Sequence, residues 1–420
     1  MVTHSVQSQV VTTRAGNAVG QAARLHYVDW LRLIATLGVF TFHVMCVFSD
    51  TDFHIKNDVQ SATITGLMGL FFPWGMPLFF LLAGAGSWFA LRRRTPRQYA
   101  RERLGRLLIP FVVGSLVLTP VQLYLEWSHK VATGIFAGSF PEFLRTLPWG
   151  FTPRFFGAAG YHLWFLGFLF CYSILTLPLF RWLKGSTGQA WLSRLARICE
   201  RRGGILIFVL PLLVVRLLLH AFWPWEHSWA DFFFLLCFFI LGFVVYADDR
   251  FTAAIWRDWR ILLTVAVAAF LGFGGVVLAT MELDVEAPTR TLPVILMWTF
   301  ATICGWCFTA VMLRVGKRFL NRSNRWLRYG NQALLPFFVL HQPVIIVVAY
   351  FLVQWHAPFL VKLAAVWGAA FALSLGLFQL VIRRAGVLRT MFGVKAEATP
   401  LSIQPQGPAP ASTTGTVASI

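Results

Sequence analysis

Acidic residues are scarce in this chain: 17 Asp and Glu stand against 36 Lys and Arg in 420 residues. Charge of either sign is scarce too, at 13% of residues, about half the share found in soluble globular proteins. With 57% of the chain hydrophobic, a water-soluble fold is excluded, and the chain reads as an all-α, polytopic transmembrane bundle. A net charge of +19 would suggest nucleic acid in a soluble protein. Here the cations sit in short loops between apolar segments, where they control topology, so no nucleic-acid partner is expected. Cysteine is sparse, and all six but Cys199 fall inside apolar segments, where thiols behave as small hydrophobes. No disulfide framework is visible. Cys304-Gly-Trp-Cys307 has redox spacing but lies mid-span with no βαβ pattern around it. No Ser-His-Asp elbow, P-loop, HExxH or metal-spaced Cys/His set is present, so no metal and no tightly bound cofactor is expected. The first 24 residues lack an apolar h-region, and no cleaved signal peptide is evident.

What is present is a series of ten apolar stretches long enough to cross a bilayer. They lie near 27–48, 67–90, 107–127, 161–183, 204–222, 229–247, 261–280, 292–313, 331–353 and 360–382. The loop 91–106 holds seven arginines, and further Lys/Arg clusters fill 184–203, 250–260, 314–328 and 383–389. All fall on one side if the spans alternate. The opposite loops are poor in Lys and Arg or acidic, so the positive-inside rule places both termini in the cytoplasm of a multi-pass inner (plasma) membrane protein. The expected organisation is a mobile cytoplasmic segment 1–24, a membrane domain 25–384 and a disordered, Pro/Ser/Thr-rich cytoplasmic tail 385–420. The longest outside loop, 128–160, carries Phe140, Phe143, Trp149 and Phe155. It is either a lid over an external opening or part of an interfacial aromatic belt.

Ionisable residues inside the spans are costly and mark function or interhelical bonds. The first span carries Asp29, Arg32 and His43. Eleven residues at about 100° each return His43 to within roughly 20° of Arg32, about 16 Å farther along the axis, and Asp29 lies within about 60° of Arg32. His162 lies at the outer mouth of the fourth span, Arg216 in the outer half of the fifth and His341 near the middle of the ninth. His162 and His341 equally suit simple interhelical hydrogen bonds. Arg216 needs an anionic or carbonyl partner, supplied by substrate or by protein. Arg103 and Arg106 abut the third span and are better anion-binding candidates than Arg92 to Arg94. Cations at the cytoplasmic mouth with imidazoles deeper in suit an anionic ligand with a long arm, such as an acyl-coenzyme A. Arginines hold phosphates through forked hydrogen bonds, and a neutral imidazole serves as general base to a hydroxyl.

These residues also form a known pattern. Arg32-x10-His43, MPLFFLLAG at 76–84, Arg103-x-x-Arg106 followed by LLIPF, HLWFL at 162–166, FFILG at 238–242 and VLHQPV at 339–344 together resemble the acyltransferase-3 family of integral membrane acyltransferases. The resemblance covers roughly 27–383 and stands closest to the glucan biosynthesis protein C branch. It implies ten helices, an acyl-CoA co-substrate on the cytoplasmic side and a carbohydrate or glycan acceptor. Arg32 and His43 match the essential pair, with Asp29 beside them. Arg103 and Arg106 match a donor-side motif, and Arg216 matches an arginine of that branch. His162, Arg216 and His341 then fall to the acceptor or acyl group. The acyl group implied is acetyl or succinyl. One departure is Ala83-Gly84-Ala85 where many members have Ser-Gly-aromatic. The competing expectation is a transporter or flippase without covalent chemistry, although no internal repeat of the kind common in transporters is evident.

Overall fold

A computed structural model describes residues 25–129, 136–146, 161–280 and 291–394. The segment 1–24, Trp149, Phe155, the loop 281–290 and the tail from 395 lie outside the described residues. Every regular element among the described residues is helical, as hydrocarbon demands of a backbone with no water to bond. The helices are α1 (His26–Phe48), α2 (Ala62–Gly69), α3 (Gly75–Leu91), α4 (Pro96–His129), α5 (Phe140–Thr146), α6 (Trp164–Leu175), α7 (Leu177–Lys184), α8 (Ser186–Cys199), α9 (Gly204–His220), α10 (Trp229–Ala247), α11 (Asp249–Ala279), α12 (Leu292–Phe319), α13 (Arg325–Leu352), α14 (Phe359–Ile382) and α15 (Gly386–Met391).

All ten apolar stretches are helical, but they are not ten equal spans. Seven helices (α1, α4 and α10 to α14) are long and apolar enough to cross a membrane alone. α6 and α7 make an eighth only as a pair bent by 46°, where Pro178 enters the first turn of α7 and removes a backbone donor. The expected second span is split: α2 ends at Gly69, and the turn through Pro73 restarts the chain as the 17-residue α3. α9 is likewise short.

α1 is the central element and packs against α3, α12, α13 and α14. Lys56 closes its far end by donating from Nζ to the carbonyls of Cys46 and Ser49, which have no partner within the helix. α3 and α10 approach at backbone distance. A Cβ on Gly84 would stand 1.8 Å from the Phe239 carbonyl oxygen, and one on Gly242 would stand 2.0 Å from that of Leu81. Small residues allow this approach in membrane bundles.

Contacts between loops gather the arginine-rich segments at one end. Trp30 Nε1 donates to the Arg322 carbonyl, Lys184 Nζ to that of Leu91, Arg250 to Glu200 and Arg106 Nε to the carbonyl of Gly393. We call this the arginine end. Both ends of the described chain, Leu25 and Val394, lie there. The segment from 385, expected to be disordered, is folded as far as Val394. α15 closes with Gly393 at φ 63°, Gly393 N bonded to Thr390 O and Val394 N bonded to Arg389 O. That is a Schellman turn, which glycine at this position allows. Phe392 packs on the membrane core, so the segment gains burial that its polar composition did not suggest.

Candidate active site

Three elements bring three histidines together: α1 supplies His43, α13 supplies His341, and the 3-10 turn Tyr161–Leu163 supplies His162. His43 Nδ1 is 3.1 Å from His341 Nε2. The His162 ring lies 4.8 Å from that of His341 and 6.5 Å from that of His43, centroid to centroid. Phe338 and Phe337 line the cluster.

Backbone carbonyls assign the protons of the neutral rings, because each ring nitrogen that faces a carbonyl must donate. His162 Nε2 donates to Val339 O at 3.1 Å. Val339 O is available because Pro343, four residues on, has no N–H to give it. His341 Nδ1 donates to Phe338 O at 2.6 Å, leaving Nε2 as an acceptor. His43 Nδ1 therefore carries the proton shared between His341 Nε2 and Val39 O, the latter at 3.0 Å. His43 Nε2 is left as a bare lone pair, bonded to no group among the described residues. The nitrogens point at carbonyls rather than at a common centre, and among the described residues no set of three His, Cys, Asp or Glu is arranged to hold a metal.

Beyond this cluster lies a second polar group. His54 Nδ1 donates to Glu126 Oε2 at 2.7 Å, and Gln342 Nε2 donates to His54 Nε2 at 3.1 Å. Glu126, His54 and Gln342 are far apart in the chain, and no spacing in the sequence connects them. The proline four residues after Val339 was the one available signal for the carbonyl that holds His162.

Arg32 lies about three turns from His43 on the unbroken α1, roughly 16 Å along the axis. Its Nη2 donates to Leu82 O at 2.7 Å, and Nη1 stands 3.6 Å from Asp29 Oδ1. Gly86 makes room for it, since a Cβ there would lie 2.5 Å from Nη2. The Ala83-Gly84-Ala85 stretch thus lies beside the seat of Arg32 and, through Gly84, forms part of the α3–α10 contact.

Arg103 and Arg106 diverge. Arg103 lies over the Tyr99 ring at 4.8 Å. Arg106 lines a cavity of about 690 Å³ with Arg93, Arg94, Arg101, Gln98 and Glu102. Glu102 pairs with Arg94 at 2.8 Å and Arg106 at 3.6 Å. Arg93, Arg94 and Arg101 thus share the cavity with Arg106, whereas Arg103, directly before the π-helical turn Leu104–Leu108, faces Tyr99.

Arg216 stands apart, 4% exposed, and its partner is protein. Nη1 meets Asp231 Oδ1 at 2.7 Å, and the guanidinium lies between Phe234 and Trp298 at 3.9 and 4.3 Å. Asp231 also accepts from the backbone N–H of His227, whose ring packs on Trp164 at 4.4 Å. Trp164 is two residues from His162.

In the described part of loop 128–160 one side chain is buried. Phe143 is fully buried against Tyr124, Trp127 and Phe136.

A family model described as an acyltransferase domain matches residues 25–383. Glucans biosynthesis protein C of Salmonella paratyphi A, and its counterparts in Salmonella agona and Salmonella dublin, are each 23% identical over 334 residues, covering 77% of this chain and 83% of theirs. No solved structure matches. The family match spans the arginines of the cleft, α1 and the histidine cluster alike, and the chain belongs to the acyltransferase-3 family: it is a multi-pass membrane acyltransferase of groups other than aminoacyl.

Proposed function

We propose that this acyltransferase moves an acetyl or succinyl group from cytoplasmic acyl-CoA to a hydroxyl of a carbohydrate on the opposite side of the membrane. The observation that carries the reading is the bare Nε2 of His43, a ring oriented through its Nδ1 by His341 and carried on the same helix as Arg32. The positive-inside rule assigns the arginine end to the cytoplasm. Acyl-CoA approaches there, with Arg32, Arg103 and Arg106 in its path, and its pantetheine arm spans the roughly 16 Å to His43. His43 Nε2 takes the proton of the acceptor hydroxyl as its oxygen attacks the thioester carbon. The C–O bond forms, the C–S bond breaks, and the proton passes from His43 to the leaving thiolate. His341 accepts from His43 Nδ1 and holds the ring in that tautomer, while His162 closes the cluster. Asp29 pairs with Arg32. Arg216, through Asp231 and His227, braces the turn that carries His162. The carbohydrate acceptor rests on the glucan relatives and on the polar group of His54, Glu126 and Gln342.

General acid–base catalysis contributes about 10²–10⁴-fold. His43→Ala is therefore expected to reduce transfer by at least about a hundredfold while leaving the protein folded. Mass spectrometry of cellular glycans with wild type, His43→Ala and no protein checks this. An acyl mass shift seen only with wild type supports the reading, and the same shift with His43→Ala overturns it.

A further inference from the structure

The cavity at the arginine end has a wall that the family pattern does not include. Arg93, Arg94, Gln98, Arg101, Gly105 and Arg106 form one side, and Thr390, Gly393 and Val394 form the other. The second side lies beyond residue 383, where the family match ends. It is anchored there. Arg106 Nε donates to the Gly393 carbonyl at 3.4 Å, and a Cβ on Gly393 would meet Leu335, the Arg106 carbonyl and Pro110 at 2.7–3.0 Å. Phe392 packs on the core beside it. The left-handed Gly393 turns the chain so that its carbonyl reaches Arg106.

Four guanidinium groups face one carboxylate in this space, leaving it strongly cationic. A volume of about 690 Å³ falls in the range of small-molecule sites, about 300–1,000 Å³. Arginine forks match phosphate oxygens, and the phosphorylated adenosine end of coenzyme A carries a phosphate monoester and a diphosphate.

We propose that this cleft binds the phosphorylated adenosine end of the donor, and that residues 386–394 are its second wall and part of the donor site. The proposal rests on the donor reading above. The arginines supply the charge, and the C-terminal segment supplies the shape. Its contact with Arg106 holds that side chain in the cleft.

The test is calorimetric binding of coenzyme A to the detergent-solubilised protein. Truncation after Ala385 is expected to weaken binding at least tenfold, and truncation after Val394 to leave it unchanged. Thr390→Glu, an exposed change that adds a carboxylate to the cleft, is expected to weaken binding similarly and covers the case in which the shorter truncation fails to fold. Pantetheine, which lacks the adenosine, the diphosphate and the phosphate monoester, is expected to show no difference among variants. Wild-type affinity in the Ala385 truncation or in Thr390→Glu overturns the C-terminal wall. If Arg106→Ala weakens binding but those two do not, only this inference fails. If wild type does not bind coenzyme A at all, the wall and the donor reading both fall. Loss of transfer in His43→Ala tests the rest of that reading separately.

Discussion

At the scale of single residues, the site is set by small features that decide where polar groups point. Gly86 is one. A methyl group there would stand 2.5 Å from Arg32 Nη2, and the flexible arginine can swing away at little cost in stability. Gly86→Ala is expected to leave the melting temperature nearly unchanged yet reduce transfer, because Arg32 loses its bond to Leu82 O. Melting and transfer rate measured on one preparation separate the two effects. Asp248, between α10 and α11, makes a pH-dependent contribution. Its carboxylate accepts from Arg250 N, Nε and Nη2 at 3.0, 3.0 and 2.7 Å. These bonds hold it below the ordinary carboxylate value of 3.8. A group held low in the folded state adds stability above its unfolded pKa, and that stability is lost as pH falls through the folded value. Asp248→Asn should therefore melt below wild type at pH 7, and the gap should close as pH is taken below 3.8.

At the scale of elements, α3 and α10 are joined by two glycines in reciprocal contact. Overpacking such a contact costs about 1–3 kcal/mol. Gly84→Ala and Gly242→Ala are expected to lower the melting temperature, whereas Gly368→Ala, with nothing within 4 Å of the new methyl, is not. A thermal scan of the three variants decides it. Elements were legible in the sequence where apolar length alone defines them: α10 spans 229–247, as expected, α1 and α14 begin one residue early, and α13 begins six residues early, at Arg325. They were not legible where backbone chemistry intervenes. Pro73 and Pro178 interrupt stretches of unbroken hydropathy, and a window of apolar residues does not register a missing N–H. The same holds in the site. Arg32, His43, His162 and His341 stand out as polar residues in apolar spans, but a pattern of side chains does not show that Pro343 frees the carbonyl that orients His162. Nor does it show that His54, in a loop, meets Glu126 and Gln342 from two distant helices.

At the scale of the whole molecule, the bundle separates two chemistries along α1, with Arg32 at the arginine end and the imidazole of His43 roughly 16 Å farther along the axis. A donor and an acceptor arriving from opposite faces can meet at His43 without either crossing. The most direct test of this account uses sealed inverted vesicles, with the arginine end outward, labelled acyl-CoA outside and glucan in the lumen. The account predicts label on luminal glucan with wild type and none with His43→Ala. Label on luminal glucan with His43→Ala, or label confined to glucan added outside, would contradict it.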